Sequence, residues 1–264
     1  HEARAALFPT PSGDASMAAE IAGHREVLSL KGGRAGQLLR LLYYRNTEGK
    51  AAGSQVVTDA MNVLRSQAGV DGPELPVFGR PAHPGDDIYL DMGDGDWSAI
   101  RINTNGWEVV TRPPVRFRRT KGVLALPVPQ KGGDIRALRR FLNVANDDDF
   151  HLLVTTLICC FFPAGPYPVV LLQGEQGSAK STTARVLAEL LDPSVPILRA
   201  QPREGRDLMI AATNRWLLSF DNMSELPAWL SDAHCRLATG GGFSTRELYT
   251  DEDEALFDAQ RPVI

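Results

Sequence analysis

The sequence predicts an α/β fold over residues 132–264, a mostly parallel sheet flanked by helices, preceded by a smaller α+β region over residues 1–131. Three observations predict it. The apolar run Val169-Val170-Leu171-Leu172 enters the Gly-rich turn Gly174-Glu175-Gln176-Gly177-Ser178-Ala179-Lys180-Ser181, and helical periodicity follows, with Ala184, Leu187 and Leu191 on one face. A second apolar run, Trp216-Leu217-Leu218-Ser219-Phe220, ends in Asp221-Asn222. Strand-like and helix-like segments alternate around both, the order that builds a parallel sheet. The first 131 residues instead place two helical segments ahead of several short β segments.

Residues 1–30 carry Pro, Gly, Ser and Ala with weak periodicity and are expected to be irregular or partly ordered. Residues 37–44 read as a helix, and so do residues 54–67, with Val57, Met61 and Leu64 on one face. Short β segments follow near residues 77–78, 87–92, 97–102 and 107–110, separated by Gly, Asp and Asn turns. Met92-Gly93-Asp94-Gly95-Asp96 lacks the acidic spacing of a calcium loop and reads as a hairpin turn, as does Asn105-Gly106. The cluster from Arg112 to Lys121 is the one basic run. It offers either a phosphate-contacting strip through Arg116 and Arg118 with Phe117 for stacking, or a solvated strand edge.

Residues 127–133 read as a linker, and Asp134 caps a helix through Leu138 and Phe141. A second helix over residues 147–162 opens on Asp147, Asp148 and Asp149, which suit its positive end. After the helix that follows Ser181 come a short strand near residues 195–198, a helix over 203–213 and the strand ending at Asp221. A helix with Trp229, Leu230 and Leu237, an alternating stretch from Phe243 to Tyr249, and a final strand Pro262-Val263-Ile264 complete the chain.

Composition narrows the class of protein. The chain has 264 residues, 43% hydrophobic and 23% charged, which suits a soluble globular protein of one large or two modest domains. A formal net charge of −4 gives no global basic signal, so nucleic-acid contact would rest on local patches. The longest apolar run, Leu152 to Phe162, is far short of the ~20 residues that cross a bilayer, and no signal peptide is visible, so the expectation is a cytoplasmic protein without membrane partners. Three cysteines, with Cys159 and Cys160 adjacent, exclude a disulfide framework and a CxxC metal site. The chain opens at His1 without a Met and stops within an apolar run, so it reads as a fragment.

The Gly-rich turn carries the chemistry. Between a buried strand and a helix, such a loop wraps phosphates with its backbone N–H groups. Here that would engage Gly174, Glu175, Gln176, Gly177, Ser178, Ala179 and Thr182, while Lys180 reaches the β/γ-phosphates and the Ser181 hydroxyl ligates Mg²⁺. The expected cofactors are ATP, or another nucleoside triphosphate, and Mg²⁺, and the fold class is that of a P-loop NTPase. Ala179 stands where Gly usually precedes the lysine, which is tolerable if φ stays negative there. Asp221, at the end of its apolar strand, would hold the metal. Asn222 follows it where a Glu often polarises the attacking water. Asn can orient a water but not accept its proton, and Glu225 is the nearest other carboxylate. The plainer alternatives are a Gly/Ser turn in an α/β core and a buried strand ending in an Asx turn.

Over the last 120 or so residues the chain resembles the superfamily 3 helicase domain of phage- and poxvirus-type primase–helicases, within the AAA+ ATPases. The residues that carry the resemblance are the loop, Asp221, and Thr239-Gly240-Gly241-Gly242 followed by Arg246, Leu248 and Tyr249. Gly242 replaces the family's usual Asp. Pro262-Val263-Ile264 matches the strand ahead of the family's sensor residue, and the arginine finger would lie farther on. The loop also resembles that of minichromosome-maintenance helicases, which likewise accept Ala before Lys. Residues 1–131 look like the accessory region of bacterial mobile-element ATP-binding proteins. The resemblance implies a DNA-stimulated ATPase motor acting as a homo-oligomeric ring on single-stranded or forked DNA, with Arg236 and Arg246 toward the channel. Two alternatives stay open, a nucleotide-switched binding module with little hydrolysis and a P-loop kinase.

Overall fold

The computed structural model describes residues 5–246, 254–257 and 259–264, for 243–246 and 254–257 by backbone alone. The chain forms two compact units, His1–Phe78 with Thr111–Arg119, and Gly79–Val110 with Thr120–Ile264.

The first unit is built on an antiparallel meander of β1 (Ala6–Pro9), β2 (Ala15–Ile21) and β3 (His24–Ser29), followed by α1 (Gly33–Asn46) and α2 (Ser54–Asp71). Where an irregular or partly ordered start was expected, residues 6–29 form a regular sheet. One face of the sheet packs Met17, Ala19 and Leu28 against Ala35, Val57, Met61 and Ala68 of the helices. The other covers Phe8, Ala18 and Val27 with Leu75 and Val77. Because both faces are covered, Ser16, Met17, Ala18 and Ala19 are all buried in succession and show no alternation to read. In the same unit Phe78 and Phe117 form a single parallel bridge, Phe78 N–H donating to Arg116 O at 2.9 Å and Arg118 N–H to Phe78 O at 2.8 Å.

The second unit begins with an antiparallel sheet in the order β4 (Pro81–Ala82), β5 (Ile88–Asp91), β6 (Ala99–Asn103) and β7 (Gly106–Val110). Both expected hairpin turns are there. Asn103 pairs with Gly106 across the two-residue loop Thr104-Asn105, and Asp94 accepts hydrogen bonds from the Ser98 backbone N–H and hydroxyl. A 3₁₀ helix (Ile135–Phe141) follows, capped by Asp134, whose carboxylate accepts from Arg136 N–H at 2.9 Å. Then come α3 (Asp147–Cys159), α4 (Lys180–Leu191), α5 (Gly205–Asn214) and α6 (Ala228–Thr239). α3 starts where Asn146 Oδ1 accepts from Asp149 N–H at 2.8 Å and ends ahead of the expected Phe162. Two cores bury the apolar stripes of these helices. Leu187 and Leu191 of α4 pack on Phe150, Leu153 and Leu157 of α3. Leu208 and Ala212 of α5 and Leu230 and Leu237 of α6 enclose Leu218 and Val263. Each large apolar side chain so buried stabilises the fold by ~1.5–3 kcal/mol. None of the described helices is long and apolar enough to cross a membrane.

The expected fold class, a mostly parallel sheet of the P-loop NTPase type, is not what forms. The sheets among the described residues are antiparallel, with three strands, four strands, and a pair made by β8 (Phe243–Arg246) and β9 (Glu254–Phe257). Residues 169–172, 216–220 and 262–264, each read as a strand, contribute isolated bridges instead, and residues 195–198 form a bend with bridges only at the flanking Ser194 and Arg199. Those of parallel sense are Val169 with Val263, Leu218 with Val263, and Arg199 with Phe220. Continuous ladders need a succession of free N–H donors. Pro168, Pro196 and Pro262 supply none, and the N–H groups of Trp216 and Leu217 go to the Asp192 side chain. Nor is the entry run a buried strand, with Val169 43% and Leu171 65% exposed. Arg246 lies in β8 with its side chain outside the described residues, and Leu248 and Tyr249 lie outside them altogether.

Candidate functional site

The loop and the acidic residue that the sequence singles out do come together. α4 begins at Lys180 because the chain turns sharply at Ala179, which has φ 61° and ψ 23°. The first i→i−4 bond of α4 runs from Thr183 N–H to Ala179 O at 2.9 Å. The N–H groups of Lys180, Ser181 and Thr182 therefore lie ahead of the helical ladder, at the positive end of a twelve-residue helix, where an anion is favoured. The left-handed φ at Ala179 departs from the negative φ under which Ala would be tolerable there. An L-residue in that region carries strain of ~1–2 kcal/mol.

Lys180 binds its own loop. Its Nζ donates to Gly174 O at 2.8 Å, to Glu175 O at 2.7 Å and to Ser178 Oγ at 3.3 Å. Three donors meet three acceptors, so the ammonium is satisfied within the turn. The turn is tight because Gly174 has φ 155°, and a Cβ there would sit 2.7 Å from Ser178 Oγ. Ser178 Oγ in turn donates to Glu175 O at 2.8 Å. Glu175, Gln176 and Thr182 are exposed.

Across the site, Ser181 Oγ donates to Asp221 Oδ1 at 2.7 Å, and the same oxygen accepts from Asn222 N–H at 2.9 Å. A hydroxyl and a carboxylate at hydrogen-bond distance are the hard oxygen donors that Mg²⁺ takes, so the residues fit that ion. Asp221 N–H donates to Arg199 O at 2.9 Å, which fixes its backbone. The Arg199 guanidinium is held below its usual range by burial, opposed by the nearby Asp192 carboxylate. Asn222 is exposed with φ 56°, a region Asn tolerates better than most residues.

The basic candidates are scattered by comparison. Arg236 is exposed on α6, and its carbonyl accepts from the N–H groups of Gly240 and Gly241 at 2.9 Å. Arg116 is half-buried, its guanidinium 5.6 Å from the Phe8 ring centroid, and its pKa is lowered by burial and then by Arg25. Arg118 is half-buried too. Phe117, expected to offer a stacking ring, is 4% exposed and packs inside its unit, so it has no face for a base. His234 stacks on Phe220 with ring centroids 5.4 Å apart, and burial lowers its pKa. Among the described residues no group of three or more His, Cys, Asp and Glu side chains is placed to hold a metal ion.

Two supporting residues escaped the sequence reading. Asn143 Nδ2 donates to Ser178 O at 3.1 Å, steadying the loop from the segment after the 3₁₀ helix, and nothing in its spacing announces that role. Asp192, legible only as the stop of α4, is buried and accepts from Trp216 N–H at 3.0 Å.

Residues 135–264, which contain all of the loop and Asp221, match the family of the actinomycete integrative conjugative element replication protein. That similarity agrees with the mobile-element and replication side of the resemblance, and its description names no helicase. No curated protein matches the chain.

Proposed function

We propose that the chain binds a nucleoside triphosphate with Mg²⁺ at the loop 174–182 and Asp221, and uses it in replication of a mobile element as a DNA-stimulated motor of the helicase type. The observation that carries the reading is the 2.7 Å bond from Ser181 Oγ to Asp221 Oδ1, which joins the loop to the acid it needs. The match over residues 135–264 to a replication protein of integrative conjugative elements supports the replication role.

In this reading the N–H groups at the start of α4 hold phosphate oxygens, and Lys180 exchanges the carbonyls of Gly174 and Glu175 for them. Ser181 and Asp221 hold the metal, which when bound draws charge from the phosphates. Asn222 orients the attacking water, and the proton leaves to solvent or to a carboxylate such as Glu225. DNA contacts fall to exposed cations such as Arg236, with Arg246 and the Arg116–Arg118 strip as further candidates. Their contribution would weaken with salt.

Titration of ATP with Mg²⁺ into wild type and Lys180→Ala tests the site. The lysine's contacts are confined to its own loop, so the variant should fold and lose affinity by about tenfold or more, the worth of one charge-assisted hydrogen bond. Equal affinities would refute the assignment. A second reading, a nucleotide-switched binding module, is favoured by Asn222 in place of a base. Single-turnover hydrolysis at background rate despite tight binding would select it over the motor.

A further inference from the structure

We infer that Asp192 is a positioning residue that sets the separation of Ser181 and Asp221 from the far end of α4. The inference rests on the nucleotide reading above and adds a residue to it.

Asp192 is 4% exposed, and both of its carboxylate oxygens are engaged. Oδ2 accepts from Trp216 N–H at 3.0 Å and from Leu217 N–H at 3.3 Å. Oδ1 pairs with the guanidinium of Arg80, 3.0 Å from Nε and 2.9 Å from Nη2. Arg80, itself 3% exposed, is anchored by the carbonyls of Asp91 at 2.9 Å, Leu124 at 3.1 Å and Pro193 at 3.3 Å. The carboxylate therefore does not drift. It ties the first two residues of the acidic segment to the residue that follows the last turn of α4.

The site contact and the Asp192 contact are the two ends of one frame. Along α4, Ser181 and Asp192 are separated by roughly 16 Å at the helical rise. Along the facing segment, Trp216 to Asp221 can span at most about 17 Å when drawn out. The two lengths agree when the segment is nearly extended in this register. A slip of one residue at the Asp192 end would move Asp221 by about 3 Å relative to Ser181, beyond hydrogen-bond reach. The other amides of the segment cannot replace this tie along α4. Those of Leu218, Phe220 and Asp221 donate to Pro262, Ile264 and Arg199, not to the helix.

ATP affinity measured with Mg²⁺ and with EDTA separates this role from general support of the fold. Phosphate contacts of the loop do not need Asp221, whereas metal coordination does. Asp192→Ala should lower the enhancement given by Mg²⁺ severalfold, up to about tenfold, the low end of the cost of losing a direct hydrogen-bond partner of a metal ligand, because Asp192 reaches Asp221 only through the backbone of the segment. Its metal-free affinity should stay near wild type. Asp192→Asn keeps an oxygen for Trp216 and Leu217 but turns an amide N–H₂ toward Arg80, and should restore part of the enhancement. A folded Asp192→Ala with wild-type enhancement overturns the role. If that variant does not fold, hydrogen exchange in wild type decides. Mg²⁺–ATP at one end of the frame should slow exchange of the Trp216 and Leu217 amides at the other, and unchanged rates overturn the role. A wild-type chain that binds no ATP overturns the nucleotide reading and this role together. Binding with an indifferent Asp192→Ala overturns this role alone.

Discussion

Replacing Ala179 with Gly should stabilise the protein, although the same change in most helices is harmful. At φ 61° and ψ 23° the Ala179 Cβ crowds the backbone, a strain of ~1–2 kcal/mol that Gly does not bear. Against this stands the extra freedom Gly brings to the unfolded chain, ~0.4–1 kcal/mol. The balance is a gain of roughly 0–1.6 kcal/mol for Ala179→Gly, about 0.8 kcal/mol at the midpoint. Gly177→Ala supplies the mirror experiment. Its φ is +84°, and no atom lies within 4 Å of the Cβ it would gain, so its cost of ~1 kcal/mol is purely conformational. Urea unfolding followed by tryptophan fluorescence, to which the buried Trp216 contributes, reads both as shifts of the midpoint at constant slope. A loss of about 0.5–1 kcal/mol on Ala179→Gly, the value for an ordinary helical position, would refute the left-handed turn. With it would go the account of how α4 aims its first N–H groups.

Two other perturbations probe the surroundings of the site. His234 is 5% exposed, and burial holds its pKa below the ordinary 6.5. The unfolded chain then takes up a proton that the folded chain refuses, so stability should fall as pH drops below about 6.5, and His234→Phe should flatten that limb of a pH series of unfolding midpoints. An unchanged slope in the variant would assign the acid sensitivity elsewhere. Leu237→Ala, at a fully buried position on α6, should cost ~2–5 kcal/mol in urea unfolding, and a loss under about 1 kcal/mol would mean the α5–α6 core is looser than described.

The helices were legible because one-sided burial writes a 3.6-residue period. Val57 and Met61 of α2, and Leu187 and Leu191 of α4, are both the residues that predicted their helices and the ones found buried. The β5–β6–β7 meander was legible through its turn residues, with Asn105 in the loop and Gly93 at positive φ. The β1–β3 meander was not, since small residues covered on both faces leave no alternation, as Ser16 to Ala19 show. Apolar runs at 169–172 and 216–220 announced proximity to a core, not a ladder. Strand pairing also depends on where each N–H goes, and hydropathy does not record that Trp216 and Leu217 would be claimed by a side chain. The meeting of Ser181 and Asp221 was legible as residue types in order. The sign of φ at Ala179 and the roles of Asn143 and Asp192 needed coordinates.

Val263 bridges both Val169, ahead of the loop, and Leu218, ahead of the acid. In the order of synthesis it comes long after either. Helices such as α4 close through local bonds and can form as the chain emerges, whereas these contacts wait on closure of long loops. The nascent chain thus acquires the loop 174–182 before Asp221 and Val263, the later parts that join it. A ribosome-stalled series lengthened through residue 263 should show α4 protected first and the Ser181–Asp221 contact only after Val263 has cleared the exit tunnel.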